Sequence, residues 1–448
     1  MELIPDLATQ VSVSDDRLSW TLTLRDDVRF GDGSRLTAKD VAFTYQQLQD
    51  GKSVHDASMI EQISIESLNT LRFDLAEPDL GFADLLASVG IVAHKVYQQS
   101  YGQNPLGSGP FRFVRWDKGQ QIVLERNPYY YGQQPAVQKL IIVFASEDSL
   151  ISLVRSGQID LASVPQRYAS LVSGNHRLVS VETNDNRGIV WPVNPLSKER
   201  GGNEVTSDVA IRRAIDQVIN RELLVSGVLQ GYGRPAFSLA DGLPWGPTIE
   251  PRKLADIDEI SLQLELAGWF FDKSNLIRER DGVKAIFTLY YPAGDSVREQ
   301  LSLAVAAMAE PLGIEVNVRG ASWTHIGREM SHHPVLMGFG SHNISEMFLV
   351  YGSENAGEGW YNSGYYANGI VDFNLSRIKQ ASGIEHTRPY WDALYQQLDR
   401  DLPWSWLVNI NHLYAVNQCL DIGEPLPEPH QHGWPITRTI EQWQWSCP

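Results

Sequence analysis

Hydrophobic and polar residues alternate along several short segments, and this spacing predicts strands. Residues 18–30, LSWTLTLRDDVRF, carry apolar side chains at every second position over their first half, which is typical of a half-buried strand. A tight turn is predicted at Gly31-Asp32-Gly33. Thr37 then predicts the N-cap of a helix, with Asp40 placed to favour the amides of the first turn.

The second half of the chain combines helical and strand patterns. Residues 207–228 have helical spacing, whereas residues 286–291, 296–312 and 314–318 read as strand, helix and strand. A βαβ unit of this kind predicts a parallel or mixed sheet. The Pro- and Gly-rich segment 243–251 is the best candidate for a domain boundary. The fold class is therefore α/β, or mixed α+β, in at least two lobes.

Composition restricts the class of protein. With 448 residues the chain is too long for one hydrophobic core, and it has no run of about 18 apolar residues. Its formal charge of −17 repels phosphate backbones and anionic lipid headgroups, so neither nucleic acid nor direct membrane insertion is expected. Cys419 and Cys447 would form one disulfide in an exported protein or remain two thiols in a reducing compartment.

The sequence gives little support for a catalytic function. The sequence has no phosphate-binding loop, no nucleophile elbow and no zinc-protease helix, so we expect neither an enzyme nor a bound cofactor. His430 and His432 lie two residues apart, and an extended segment would point both imidazoles to one side. These two histidines are candidate metal ligands, and surface chemistry without a metal is the alternative.

One stretch, residues 105–132, is dense in motifs: PLGSGPFRFVRWDKGQQIVLERNPYYYG. Together with LVRSGQIDLA, VAIRRAIDQVINRELLVSGVLQGYGRPA and DLPWSWLVN, in this order, it resembles the signatures of the extracellular solute-binding proteins of family 5. That family feeds peptide and nickel ABC importers. The resemblance extends over nearly the whole chain.

The resemblance implies a two-lobed periplasmic-binding-protein-like fold of type II, in its large three-subdomain form, with mixed sheets and a hinge. It assigns residues 10–140 to an accessory subdomain of the first lobe. The main subdomain of that lobe comprises residues 1–9, 141–250 and 420–448, and the second lobe comprises residues 251–419.

The resemblance also implies a location and partners. A periplasmic or extracellular monomer that works with ABC importer permease subunits is expected. The start MELIPDLATQ has no signal-peptide pattern, and family members carry such a peptide and a further segment ahead of this point, so we expect a truncated N terminus.

The ligand implied by the resemblance is a peptide or another small solute bound in a cleft between the lobes. Peptide-binding relatives carry an Asp that pairs with the peptide ammonium, and the matching segment here, residues 338–348, has none. Glu346 is the candidate replacement, and His342 is the candidate contact to a metal chelate. Glu346 falls where a nickel-type His would lie, which weakens the nickel alternative.

Further candidate contacts lie outside that segment. Arg126 either binds a ligand carboxylate or braces the Asn127-Pro128 corner. The resemblance places Asn194 near the cleft between the lobes, where it either contacts the ligand or has a structural role. The aromatic residues near the C terminus either fill a core or line a wide cleft, and Trp360, Tyr361 and Tyr365 are the candidates for the cleft.

Three functions remain open from the sequence. The first is delivery of a peptide or peptide-like solute to an ABC importer. The second retains the fold but binds nickel or another metal held by a small chelator. The third is a sensor or regulatory domain that is not exported.

Overall fold

Alternating strands and amphipathic helices produce a set of mixed and antiparallel sheets. The computed structural model describes residues 4–50, 56–195, 201–246, 249, 254–271, 276–430 and 435–447. The strands are β1 Ala8–Val13, β2 Ser19–Leu24, β3 Ile60–Ile65, β4 Thr70–Leu75, β5 Phe111–Asp117, β6 Gln121–Arg126, β7 Lys139–Val143, β8 Leu161–Ser163, β9 His176–Val181, β10 Asn186–Val190, β11 Gly233–Pro235, β12 Phe270–Phe271, β13 Arg278–Arg280, β14 Val283–Lys284, β15 Ile286–Pro292, β16 Glu315–Ala321, β17 Val335–Met337, β18 Trp404–Ile410, β19 His412–Asn417, β20 Leu420–Asp421 and β21 Gln444–Trp445.

The helices pack on these sheets. They are α1 Ala38–Asp50, α2 Phe82–Ser88, α3 Glu147–Arg155, α4 Val209–Val218, α5 Arg221–Leu223 with a π-turn at Leu224–Val228, α6 Ile257–Leu266, α7 Ser296–Ala309, α8 Trp323–Glu329, α9 Ser345–Tyr351, α10 Gly369–Lys379 and α11 Arg388–Asp401. Short 3₁₀ turns occupy Tyr101–Gln103, Gln166–Leu171, Glu310–Leu312, Ser353–Asn355, Ile384–His386 and Pro435–Gln442. In the described part of the chain, no helix combines the length and the apolar character needed to cross a bilayer.

The accessory subdomain contains an antiparallel sheet of order β1-β2-β4-β3, and α1 and α2 contribute to the same core. The predicted helix start is confirmed at Ala38, and the Asp40 carboxylate accepts the Thr37 amide at 2.9 Å. The predicted strand is shorter than expected, because β2 ends at Leu24 and the chain then turns through charged residues.

A six-stranded sheet of order β11-β18-β10-β17-β15-β16 forms the centre of what we call the second lobe. β15 pairs in parallel with β16 across helix α7, as the strand-helix-strand pattern predicts, whereas β10 is antiparallel to β17 and β18. The sheet carries a hydrophobic core on each face, one around α4, α6 and α7 and the other around α9, α10 and α11.

The strand pairing suggests a division of the chain that differs from the boundary predicted near residue 250. β10 and β11 precede that point, yet they pair with strands of the second lobe, while β19 pairs with β8 and β9 in the first lobe. From this pairing we infer a second lobe of residues 186–410. The described part of segment 243–251 is a loop inside it, where the Trp245 indole donates to the His342 carbonyl at 3.0 Å.

The C-terminal segment returns to the first lobe. Cys419 and Cys447 form a disulfide with their Cα atoms 5.1 Å apart. β20 and β21 pair next to this bond. The last segment is thereby tied to the sheet that contains β19.

Candidate functional site

Two neighbouring connections between strands pass from one lobe to the other and form a hinge. β9 ends at Val181 in the first lobe and β10 begins at Asn186 in the second, while β18 and β19 are separated only by Asn411. The two crossings are tied together, because the Ile410 amide donates to the Asp185 carbonyl at 2.9 Å. Side chains at this point therefore lie between the two lobes.

A buried carboxylate, Asp185, is the centre of a charge cluster at the hinge. Arg187 contacts both of its oxygens, His430 Nδ1 lies 2.6 Å from Oδ1 and His412 Nε2 lies 2.9 Å from Oδ2. Burial alone would raise the pKa of Asp185, but Arg187, His430 and His412 hold it well below its usual range. This carboxylate therefore stays ionised.

His412 lies between two carboxylates. Its Nδ1 is 2.5 Å from Glu428 Oε2, and the Tyr414 hydroxyl donates to the same oxygen at 2.7 Å. Burial lowers the pKa of His412, but the hydrogen bonds to Asp185 and Glu428 outweigh it and raise the pKa to about 9. The imidazole is thus protonated at neutral pH and donates through both nitrogens.

The loop that follows β17 packs against this hinge. Gly340 has φ +129°, and a Cβ there would lie 1.8 Å from the Asn184 carbonyl oxygen, so only glycine fits. The Gly340 carbonyl accepts the His430 amide at 2.9 Å. The loop is therefore fixed by contacts to both the hinge and the C-terminal segment.

Glu346 lies below this loop, in the first turn of α9. Its Oε2 accepts the Gly340 amide at 2.9 Å and the Ser341 amide at 2.8 Å, whereas no hydrogen bond to Oε1 is found among the described residues. Burial raises the pKa of this carboxyl to about 7, with the two amides acting in the opposite direction and Asp185 adding to the rise. One carboxyl oxygen thus remains available.

His342 lies in the same loop and is half-buried. Its Nε2 is buried and has no hydrogen-bond partner in the described ranges of the chain. Burial lowers its pKa to about 4, and Arg438 of the first lobe contributes to the fall. The imidazole is therefore neutral near pH 7, which is the form that binds metal ions.

Aromatic rings form a wall beside the loop. Phe339 stacks on Tyr361 with ring centroids 5.0 Å apart and meets the edge of Trp404, which stacks on Trp406 at 4.5 Å. Three of these rings are buried, and Tyr361 is half-buried. The predicted Tyr361 is therefore the member of this wall with the most accessible surface.

The other predicted contacts lie elsewhere. The Arg126 guanidinium donates to the Pro135 carbonyl at 3.1 Å, and Trp360 packs edge-on against Trp323. Asn194 donates to the Tyr365 carbonyl at 3.3 Å, so these two residues contact each other. Their roles toward a ligand stay predictions.

The histidine pair is not seen as a pair. His432 lies outside the described residues, and the ring of His430 contacts Asp185. Where the chain is described, no group of three or more His, Cys, Asp or Glu side chains could hold a metal ion.

Sequence reasoning missed the hinge cluster. Asp185 and Arg187 are separated by more than 220 residues from His412 and Glu428, so only tertiary structure brings them together. One signal was present: charged residues immediately precede the buried run Ile189-Val190-Trp191. Charges in a buried strand need partners, and this points to a functional or structural network.

A family model of the bacterial extracellular solute-binding proteins, family 5, matches residues 2–356. This chain belongs to that family. Its members are solute-binding proteins of ABC importers rather than enzymes, and the type II two-lobed fold agrees with this assignment.

Relatives are similar over most of the chain. Protein XP55 of Streptomyces lividans is 33% identical over 434 residues, covering 93% of this chain and 78% of the relative. The oligopeptide-binding protein AppA of Bacillus subtilis is 25% identical over 441 residues, covering 93% and 80%.

Solved structures show the same fold. NikZ from Campylobacter jejuni in complex with Ni(L-His) has a TM-score of 0.90 at 23% identity, covering 99% of this chain and 91% of that one. AppA from Bacillus subtilis with a nonapeptide has a TM-score of 0.84 at 24% identity, covering 98% and 90%.

Proposed function

We propose that this protein captures a peptide or peptide-like solute beside the hinge and delivers it to an importer permease. The observation that carries the proposal is Glu346, which is buried, has one carboxyl oxygen without a partner among the described residues, and lies near the aromatic wall. A carboxylate at that position pairs with a ligand ammonium, and rings such as Tyr361 provide contact area for variable side chains. The AppA relative, whose name states oligopeptide binding, supports this ligand class.

Export follows from the same proposal. The Cys419–Cys447 disulfide is stable in an oxidising compartment such as the periplasm or the cell exterior. Acting there as a monomer, the protein would close its lobes around the solute, with closure stabilised by contacts to both lobes.

The ammonium contact is tested by a double-mutant cycle on ligand and protein. A pool of short peptides and the same pool with acetylated N termini are titrated into the parent and Glu346→Gln proteins by calorimetry. We expect acetylation to weaken binding to the parent by about tenfold or more, since a charge-assisted hydrogen bond contributes about 1.5–3 kcal/mol. In Glu346→Gln the two pools should bind equally; equal binding to the parent would contradict the role of Glu346.

A metal chelate is the second candidate, and His342 favours it because its buried Nε2 is neutral and has no partner in the described chain. Titration with nickel and L-histidine, with His342→Gln as the variant, separates the two ligands. If the parent binds nickel and L-histidine tightly and His342→Gln does not, the metal chelate replaces the peptide as the proposed ligand. If the titration of the parent gives no heat of binding, the metal chelate is ruled out as the ligand.

A further inference from the structure

The C-terminal end of helix α10 is recognised by the other lobe. A helix leaves its last carbonyl groups without partners inside the helix. Here the Lys379 carbonyl accepts the Leu80 amide at 2.8 Å, and Arg17 donates to the carbonyls of Gln380 at 2.7 Å and of Ala381. Both donors belong to the accessory subdomain, so the helix end is capped from across the cleft.

Side chains reinforce the same contact. Lys379 Nζ lies 3.5 Å from both Glu77 Oε1 and the buried Asp79 Oδ2, and Gln380 Nε2 donates to Glu77 Oε2 at 2.8 Å. Segment 77–80 therefore meets the carbonyls and the side chains of one helix end. The charges are complementary as well, because the guanidinium of Arg17 faces the negative end of the helix dipole.

Arg17 adopts a backbone conformation that its residue type disfavours. Its φ is +61°, in the turn between β1 and β2, and glycine or asparagine adopts this left-handed conformation at a lower energetic cost. The turn is held by the Trp20 indole, which donates to the Arg17 carbonyl at 3.3 Å. The strained turn directs this guanidinium at α10, and such strain is concentrated at functional contacts.

The accessory subdomain also approaches helix α9 closely. Gly81 approaches so closely that a Cβ there would lie 2.4 Å from Ser345 Oγ. Next to this point a cavity of about 930 Å³ separates the accessory subdomain from α9 and α10. Contact on this side therefore combines the directed hydrogen bonds at the end of α10 with the packing of Leu80 against the core of the second lobe.

We propose that Arg17 and the Leu80 amide form an interlobe latch, which caps helix α10 across the cleft and favours the closed arrangement of the lobes. The hydrogen bonds of the latch involve no residue of the hinge cluster or the aromatic wall, so we expect the latch to set affinity through the open-to-closed equilibrium. It rests on the proposed function only in that the closed form is the one that holds a solute.

A distance measurement without ligand tests the latch. Exposed Glu61 in the accessory subdomain and exposed Glu385 in the second lobe are replaced by cysteine and spin-labelled, since the two native cysteines are paired in the disulfide. Pulsed electron resonance then gives the distribution of interlobe distances. It is recorded for the parent, Arg17→Gln, Arg17→Gly and the control Arg115→Gln, whose guanidinium pairs with Asp117 in its own subdomain.

The two Arg17 variants differ in how they affect the backbone of the turn, so a folding defect can be told apart from loss of the latch. Arg17→Gly removes the guanidinium while relieving the left-handed backbone, so the hairpin is expected to stay folded, as circular dichroism would verify. We expect a closed population in the parent and a fall of about tenfold in the closed-to-open ratio in both variants, with no change in the control. Unchanged distributions, or a parent with no closed population, would overturn the latch. Because no solute is present, failure here leaves the proposed function untouched.

Discussion

The motif-rich stretch 105–132 and the motif-poor segment 338–348 differ in how their polar groups are used. In the first, buried Asn127 donates to the Gly109 carbonyl at 2.9 Å and accepts the Tyr129 amide at 3.0 Å. In the second, Glu346 and His342 each keep a polar atom for which the described residues provide no partner. Satisfied polar groups hold a scaffold, whereas the buried Nε2 of His342, which has no partner among the described residues, is a polar atom that a ligand can satisfy.

The largest effect is expected in the scaffold. Asn127→Ala removes two partly buried hydrogen bonds of a fully buried side chain, so the free energy of unfolding should fall by about 3 kcal/mol. Urea denaturation measures this, with the exposed Asn104→Ala as the control. Solute affinity of the folded protein should stay within about twofold; a large loss of affinity would place function in the scaffold and break the comparison.

Glu346→Gln should raise stability and weaken peptide binding, whereas Asn127→Ala should lower stability and leave binding unchanged. The folded state raises the pKa of this carboxyl to about 7 from 4.5, so ionisation costs stability as the pH rises through this window. The amide removes that cost, and at pH 8 the free energy of unfolding should rise by on the order of 2–3 kcal/mol while affinity for peptides falls. At pH 4.5 the gain should vanish, and the exposed Glu354→Gln should show no gain at either pH.

The hinge next to this segment should have its own pH dependence. The folded state raises the pKa of His412 to about 9 from 6.5, so the stability from this proton is complete below pH 6.5 and is lost as the pH rises through 9. We expect the free energy of unfolding to drop by about 2 kcal/mol between pH 7 and 9.5. His412→Gln should flatten that part of the profile, and the exposed His386→Gln should leave it intact.

The smallest effect is expected for Arg126→Gln. Its guanidinium is exposed and makes one hydrogen bond to a backbone carbonyl, so the change in the free energy of unfolding should stay below about 0.5 kcal/mol. Peptide titration should give the parent affinity. A tenfold loss would instead support the ligand-carboxylate alternative.

Local sequence patterns predicted much of the fold. The unit β15–α7–β16 follows from periodicity alone, because each of its elements has an uninterrupted pattern. The predicted helix over 207–228 is instead broken after Val218, where Asn220 takes an extended conformation and its side chain accepts the Leu223 amide at 2.9 Å. An N-cap within an apolar run is a local signal that outweighed the helical spacing.

The site was only partly predictable. Family resemblance pointed to Glu346 and His342, but the environment that raises one pKa and lowers the other depends on burial, which periodicity does not show. The hinge cluster and the boundary at residue 186 depend on which strands pair across long sequence separations. Such pairing is decided by the packing of whole sheets, and no single segment records it.

The central claim is that the segment 338–348, with the aromatic wall, holds a solute while the stretch 105–132 does not. Native mass spectrometry of the freshly purified chain tests this most directly, with Glu346→Gln and Arg126→Gln measured in parallel. The account predicts bound peptide masses in the parent and in Arg126→Gln, and a marked loss of them in Glu346→Gln. An empty parent that takes up nothing from a peptide pool, or loss of bound mass only in Arg126→Gln, would contradict it.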